Sequence, residues 1–207
     1  MNVNKSSNIF SVDRVGDIGG FIHLLSQNKF DGNQLKQRSY KMSLQKLMTN
    51  YAEYNAWANQ QFIDWLSTQS NELLNKELPS SFSNISKTLS HILGAAEFWY
   101  SAIGETEYDA RNTDDLKTDE VMRDLITHSN LFAELIRSFS EEDLTKKIKI
   151  VNEWFESDLP RYEYIMQVLN HGIYHRGQTV TIARNIGITE VPMTDYNFYN
   201  IVKGQTK

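Results

Sequence analysis

Four long segments of this chain carry apolar residues at steps of three and four, and this spacing limits the possible folds more than any other feature. In the first segment, residues 42–66, the apolar positions are Leu44, Leu47, Met48, Tyr51, Tyr54, Ala58, Phe62 and Trp65. Residues that recur at this interval share one face of an α-helix, whereas an exposed strand alternates with a period of two. The first segment is therefore predicted to be an amphipathic helix.

Three further helices are predicted from the same pattern. They span residues 85–103, 119–140 and 160–186. Ser83 or Asn84 is placed to cap the start of the second helix, Pro160 suits the first turn of the fourth, and Gly187 is placed to end it. The second helix carries two adjacent apolar stripes, so it should pack on two sides. Four such helices without alternating strands predict an all-α four-helix bundle.

The segments between the helices are less regular. Residues 104–118 form a long, charged connection without hydrophobic periodicity. A connection of this length permits helix neighbours other than those of a simple up-and-down bundle. Within residues 144–160, Ile148 and Ile150 alternate with lysines, so an irregular or short hairpin excursion is predicted before the last helix. The aromatic tail, residues 189–200, is predicted to be irregular and to pack back on the bundle.

The first 41 residues differ from the rest in composition and lack a sustained period. We predict two parts: an N-terminal extension at 1–41 and a bundle domain at 42–207. The extension is interpreted as a leader, as a tail that docks on the domain, as disordered chain, or as the product of a misplaced start, since Met42 can itself be a start codon. The apolar run at residues 18–25 follows two aspartates and lacks a cleavage site typical of signal peptides.

Composition excludes several classes of function. The formal net charge is −5, which argues against nucleic acid as the main partner. No run approaches the ~18 apolar residues of a membrane span, so a cytoplasmic protein without a membrane partner is expected. The chain has 0 cysteines, so any metal ion must be held by histidine, aspartate or glutamate.

The stretch HGIYHRGQ, residues 171–178, is the strongest chemical signal. Its two histidines, His171 and His175, stand one helical turn apart and can reach one cation, although such a pair is as often two hydrogen-bonded core residues. His91 lies on an inward stripe of the second helix and is the best third ligand. Three neutral imidazoles leave the 2+ charge of an ion uncompensated, which would lower the pKa of a bound water to about 7.

Other polar groups near these helices are harder to assign. His128 is interpreted as a core histidine or a support for a metal ligand, and Gln178 as a partner of a metal-bound water, of substrate, or of a tail aromatic. Arg176 is predicted to point away from the histidines, toward an ion pair or a dimer contact. Glu97 and Glu163 fall on other faces than the histidines, so no general base is assigned.

Four segments resemble, in their order and spacing, the DinB/YfiT-like superfamily. HGIYHRGQ resembles the H-x-x-x-H-R-G-Q signature of the last helix in that family. The similar segments are SNISKTLSHILGAAEFW (83–99) for its second helix, NYAEYNAWANQQFIDWL (50–66) for its first, and TDYNFYN (194–200) for its tail. The resemblance covers about residues 42–201 and leaves the N-terminal extension without a counterpart.

The resemblance implies a four-helix bundle that binds a divalent ion (zinc, nickel, iron or manganese) through His91, His171 and His175, often as a homodimer. Some members of the family are similar to thiol S-transferases that use bacillithiol or mycothiol, or to a maleylpyruvate isomerase. Others have no known activity, and the family name refers to induction by DNA damage. A fold alone does not settle function.

We therefore expect a metal-dependent enzyme that activates a low-molecular-weight thiol toward a small electrophile. The alternatives are a metal-dependent hydrolase and a non-catalytic metal-binding protein of the stress response. The mouth of the site is predicted to be partly apolar, with Ala95, Phe98 and Ala102 beside His91, and with Tyr164 and Gln178 beside the histidine pair. No cluster of Arg or Lys shares this face, so a small organic substrate is favoured over a polyphosphate.

Overall fold

Four long helices form the framework of the domain, as the periodicity predicts. The computed structural model of the chain describes residues 42–205. Its elements in chain order are α1 (Leu44–Leu66), α2 (Asn71–Leu74), α3 (Ile85–Gly104), α4 (Thr118–Ser138), α5 (Glu141–Thr145), β1 (Lys147–Val151), β2 (Glu156–Pro160), α6 (Arg161–Asn185) and α7 (Tyr196–Gln205), with one turn of 3₁₀-helix at Thr113–Asp115. The fold is mostly helical, and the predicted boundaries of the long helices are correct to within two residues.

Local side-chain chemistry fixes where these helices begin and end. Asn84 accepts a hydrogen bond from the backbone N–H of Lys87 at 2.8 Å, which makes it, rather than Ser83, the N-cap of α3. Pro160 is the last residue of β2 and the N-cap residue of α6, so its predicted place inside the first turn is wrong by one position. Gly187 has a φ of 96°, the left-handed conformation that ends a helix at low cost for glycine alone.

The long helices do not follow a simple up-and-down order of neighbours. Helix α1 packs against α4 and α6, and α3 packs against the same two helices, so α1 and α3 occupy diagonal corners of the bundle. The hairpin β1–β2 precedes α6, as predicted, and pairs Lys147 with Pro160 at its open end. Its alternate residues Ile148 and Ile150 are buried, which fastens the hairpin to one end of the core.

A polar layer divides the interior of the bundle. One apolar cluster lies at the hairpin end and includes Met48, Phe132 and Leu169, and a second lies at the opposite end and includes Leu66, Leu89, Val121 and Ile182. Between them, along the same helices, stand the buried polar side chains Asn55, Asn59, Ser129, His175, Arg176 and Thr179. Buried polar groups require partners, so this layer is where specific contacts between helices concentrate.

The aromatic tail packs back on the bundle as predicted; residues 189–195 are irregular, as expected, whereas the chain from Tyr196 onward forms the helix α7. Residues of α7 contact α1 through rings: Tyr199 lies 5.7 Å from Tyr54 and 5.4 Å from Trp57, measured between ring centroids. The tail lacks a long apolar period, and its helix is stabilised by this contact with α1. Within residues 42–205, none of the helices combines the length and hydropathy that a membrane span requires.

The N-terminal extension lies outside the described residues, and we predict that it is dispensable, because it lacks the sustained period of the four long helices. A chain that starts at Met42 should remain soluble and bind metal, because it retains the four long helices, both apolar clusters and the Ser43 cap of α1. Size-exclusion chromatography beside the full chain provides the measurement. Aggregation of the shortened chain alone would show that the extension covers an apolar surface.

Candidate metal site

The three predicted histidines meet in one cluster. His171 and His175 stand on successive turns of α6, and His91 faces them from α3. The Nε2 atom of His171 lies 3.0 Å from Nε2 of His91 and 3.1 Å from Nε2 of His175. Their ligand atoms all lie within 4.8 Å of one another, and no other group of three such side chains is found in residues 42–205.

This geometry fits a divalent ion. With metal–nitrogen distances of about 2.0–2.1 Å, two ligand nitrogens stand about 2.9 Å apart at a right angle and about 3.3 Å apart at the tetrahedral angle. The separations of 3.0 and 3.1 Å fall in this range. Two of the side chains are half-buried and one is buried, which leaves one side of the cluster open. Three neutral nitrogen ligands with an open side are the donor set of catalytic zinc sites.

Gln178 orients one of the three imidazoles. Its Oε1 lies 2.9 Å from Nδ1 of His175, and its Nε2 donates to the hydroxyl of Ser80 at 3.1 Å. Because Oε1 can only accept, His175 carries its proton on Nδ1, which leaves the Nε2 lone pair directed at the cluster. Gln178 thus contacts His175 and Ser80 rather than an aromatic of the tail, and its predicted role toward a metal-bound water or substrate stays a prediction.

The environment keeps two of the imidazoles neutral. Burial is the main cause that lowers the pKa of His171 to about 4, with neighbouring His175 and His91 acting in the same direction. Burial and His175 also lower the pKa of His91, while the Asp114 carboxylate acts in the opposite direction. Only the neutral imidazole offers a lone pair, so His171 and His91 are in the ligand form at pH 7.

A loop before α3 covers the cluster, and sequence reasoning assigned it no function. Phe82 stacks on the ring of His91 with 4.2 Å between centroids, and its edge contacts His175 at 5.5 Å. The next residue, Ser83, has a φ of 46°, which turns the chain into the N-cap of α3. The only sequence feature that marks Phe82 is its position as a single aromatic residue among serines. Because the loop has no helical or strand periodicity, the sequence does not show which surface Phe82 contacts.

A cavity of about 400 Å³ opens beside His91. Its lining residues are Ser80, Ser81, Phe82, Ser83, Lys87, His91, Gly94, Ala95, Thr113 and Asp114. Of the predicted apolar mouth only Ala95 takes part, whereas Phe98 packs on Trp99 and Tyr108. The mouth is thus more polar than expected, because serine hydroxyls and the 3₁₀ turn replace the predicted apolar groups.

Tyr164 lies away from the cluster. Its hydroxyl donates to the carbonyl of Ile148 at 3.2 Å and accepts the N–H of Leu159 at 3.1 Å, so it holds the hairpin to the start of α6. The prediction that Tyr164 flanks the histidine pair is wrong, because two helical turns separate it from His171.

Arg176 points into the bundle rather than toward an ion pair or a dimer contact. Its Nη1 donates to Oδ1 of Asn55 at 2.8 Å and to Oδ1 of Asn59 at 2.7 Å, and only 4% of the residue is exposed. No carboxylate in the described part of the chain pairs with it, and burial lowers its pKa. The sequence interpretation failed because a charged side chain was assigned to the surface, although two amides of α1 were available as partners.

His128 does not support the histidine cluster. Its Nε2 lies 3.5 Å from Oε1 of Glu97, which is itself paired with Arg111, and its Nδ1 is buried without a hydrogen-bond partner in the described structure. Glu97 stays on a face away from the three histidines, as predicted. The core interpretation of His128 is the better one, although its hydrogen bonding is incomplete.

Comparisons with known proteins agree with this architecture. The sequence model described as the DinB family matches residues 41–206. The chain is 32% identical to Protein DinB of Bacillus subtilis (strain 168), in an alignment that covers 71% of this chain and 90% of that protein. A crystal structure of a DinB-like protein from Bacillus cereus ATCC 10987 superposes with a TM-score of 0.52 and 23% identity, covering 68% of this chain and 91% of that chain. The structural likeness bears on the fold alone.

Proposed function

The chain belongs to the DinB family, and from that premise we propose that it is a divalent-metal-dependent enzyme whose ion is held by His91, His171 and His175. The convergence of three Nε2 atoms at separations of 3.0 and 3.1 Å carries the proposal. Zinc, nickel and iron suit imidazole ligands, whereas manganese prefers oxygen ligands, and coordination geometry together with metal availability decides which ion is bound.

The reaction we propose is transfer of a small thiol to an organic electrophile: the sulfur forms a C–S bond, and either a halide leaves with release of the thiol proton, or the C–O bond of an epoxide opens and its oxygen takes up that proton. A divalent ion bound there supplies Lewis-acid chemistry, because its charge lowers the pKa of a thiol or water that binds to it. The chain's own residues prepare this chemistry. Gln178 accepts a hydrogen bond from Nδ1 of His175, and burial lowers the pKa of His171 and of His91, so these two ligands need no deprotonation at pH 7.

The cavity beside His91 supports a small organic substrate. Its volume of about 400 Å³ is within the range of small-molecule sites. Phe82 stacks on the His91 ring, and serine and threonine hydroxyls in the lining of the cavity offer hydrogen bonds to a ligand. Lys87 is the single Lys or Arg of the lining, which disfavours a polyphosphate.

The proposal is tested by conjugation of a small thiol to a halonitrobenzene or an epoxide. Zinc-loaded wild type should accelerate the reaction, and His175→Ala should abolish the acceleration at equal folded concentration. His128→Ala is the matched control, since it removes a histidine that lies outside the cluster and should leave the rate unchanged. Equal rates for wild type and His175→Ala would remove the transferase proposal and favour a non-catalytic metal-binding protein. Acceleration of ester or amide cleavage instead would favour the hydrolase.

Gln178→Met should weaken zinc binding by about tenfold, the lower end of the range for residues that orient metal ligands. Methionine keeps the approximate shape of glutamine but cannot accept the proton on Nδ1 of His175, so the imidazole loses its fixed tautomer. Competition with a chromogenic chelator measures the affinity. The control is Gln167→Met, an exposed residue of the same helix. Equal affinity for the two variants would show that the Gln178 contact does not prepare the ligand.

A further inference from the structure

The 3₁₀ turn at Thr113–Asp115 is fastened to α3 next to the histidine cluster. The Thr113 hydroxyl donates to the carbonyl of Ser90 at 3.1 Å, and the Ser90 hydroxyl donates to Oδ1 of Asp114 at 2.6 Å. Gly94 permits this close approach, because a Cβ there would stand 3.1 Å from Oγ1 of Thr113. These contacts bring the charged connection, which had no period in the sequence, onto the wall of the cavity.

One carboxylate and one metal-facing imidazole therefore line the same cavity. Asp114 and His91 both border the space of about 400 Å³, which Gly94 and Ala95 of α3 also line. Thr113 lies against Gly94, so the wall there is formed by the 3₁₀ turn, whereas Ala95 adds only a methyl group. A ligand bound at the open side of the histidine cluster has room to extend toward the Asp114 carboxylate.

The charge of Asp114 is not neutralised by an ion pair. Within residues 42–205 no nitrogen of Lys, Arg or His lies within ion-pair distance of it, and its one side-chain partner is the neutral hydroxyl of Ser90. Lys87, the cation of the lining, lies 3.7 Å from Glu77 and 3.3 Å from the hydroxyl of Ser83. The cavity thus presents, on the wall that it shares with His91, an exposed carboxylate that forms no ion pair within residues 42–205.

We propose that Asp114 is the specificity-determining residue of this cavity and that it selects small ligands carrying a protonated amine. The inference rests on the proposed function and narrows it, since the ligand needs a donor atom at one end and an ammonium group at the other. The Ser90 hydroxyl occupies Oδ1 and orients the carboxylate, so that Oδ2 is left for the amine. A ligand with a carboxylate in that place would meet like charge and bind more weakly.

Calorimetric titration of the zinc-loaded protein compares two thiols of similar size, cysteamine with an ammonium group and 2-mercaptoethanol with a hydroxyl. Asp114→Asn should weaken cysteamine binding by about three- to fivefold, the range for a partly solvated ion pair, and should leave 2-mercaptoethanol unchanged. Asp115→Asn is the matched control. It removes the same charge from the next residue of the turn, which does not line the cavity, and should affect neither thiol.

The outcomes separate the inference from the function on which it rests. If Asp114→Asn and Asp115→Asn behave alike, or if Asp114→Asn weakens both thiols equally, the selection of amines is overturned while the metal site stands. If neither thiol binds any zinc-loaded variant, the thiol reaction and the inference both fail. The inference is supported if only Asp114→Asn loses cysteamine affinity, and if the difference between this variant and the wild type becomes smaller at high salt.

Discussion

Replacing His171 with alanine is expected to remove the bound divalent ion and leave the bundle folded. His171 Nε2 lies 3.0 Å and 3.1 Å from the other two ligand atoms, so its loss leaves two imidazoles, fewer than the three protein ligands of a catalytic zinc site. Zinc affinity should fall by more than about a hundredfold, because removing a ligand exceeds the effect of disturbing the residue that orients one. Equilibrium dialysis with elemental analysis measures this loss.

The same variant should unfold at nearly the temperature of the metal-free wild type. The two apolar clusters that flank the polar layer stabilise the helices, and His171 belongs to neither. A difference within about 4 °C corresponds to about 1 kcal/mol for a chain of this size. His128→Ala again provides the matched control for metal content. A His171→Ala protein that fails to fold would show that the ion is structural, and one that retains the ion would remove His171 from the site.

Arg176→Met is expected to lower the free energy of unfolding by about 2–4 kcal/mol. Within residues 42–205, Arg176 is the only donor to the side-chain oxygens of Asn55 and Asn59, both of which are buried. Each oxygen left without a donor costs about 1–3 kcal/mol. Removing an unpaired buried charge works in the opposite direction, but methionine cannot satisfy either amide, so the loss of the two hydrogen bonds should dominate.

Urea unfolding of the metal-free proteins measures this difference, provided that the dependence of the free energy of unfolding on urea concentration is the same for both proteins. Arg184→Met is the control, since Arg184 is exposed in the last turn of the same helix and its replacement should change the stability little. Unchanged or increased stability of Arg176→Met would contradict the expectation. It would mean that burying the guanidinium costs as much as its two hydrogen bonds contribute.

The sequence predicted the elements whose signal is local and periodic. The four long helices, the N-cap at Asn84 and the end at Gly187 depend on neighbouring residues, and each was found within two positions. The tail helix at Tyr196–Gln205 was missed because its aromatic and asparagine residues have no sustained period. Its stability comes from rings of α1 that are distant in sequence, such as Tyr54 and Trp57.

In the candidate site, too, the residues with a local spacing signal were predicted, and those that depend on contacts with distant segments were not. The histidine pair on one helix follows from a spacing of four, and His91 follows from its inward stripe. Gln178, Phe82 and Asp114 could not be assigned from sequence, because each acts through a neighbour on another segment or through a rotamer. Arg176 was placed on the wrong side because its partners, Asn55 and Asn59, belong to a helix more than a hundred residues earlier.

The most direct measurement is an X-ray absorption spectrum, which identifies the ligands of the bound ion. The protein is purified without chelator, and the spectrum is recorded at the absorption edge of the metal that elemental analysis identifies. We expect sub-stoichiometric to stoichiometric zinc, nickel, iron or manganese with three imidazole nitrogens at about 2.0–2.1 Å for zinc, and a spectrum that His171→Ala abolishes. Absence of metal after reconstitution, or an ion without imidazole scattering, would contradict the assignment of His91, His171 and His175 as a metal site.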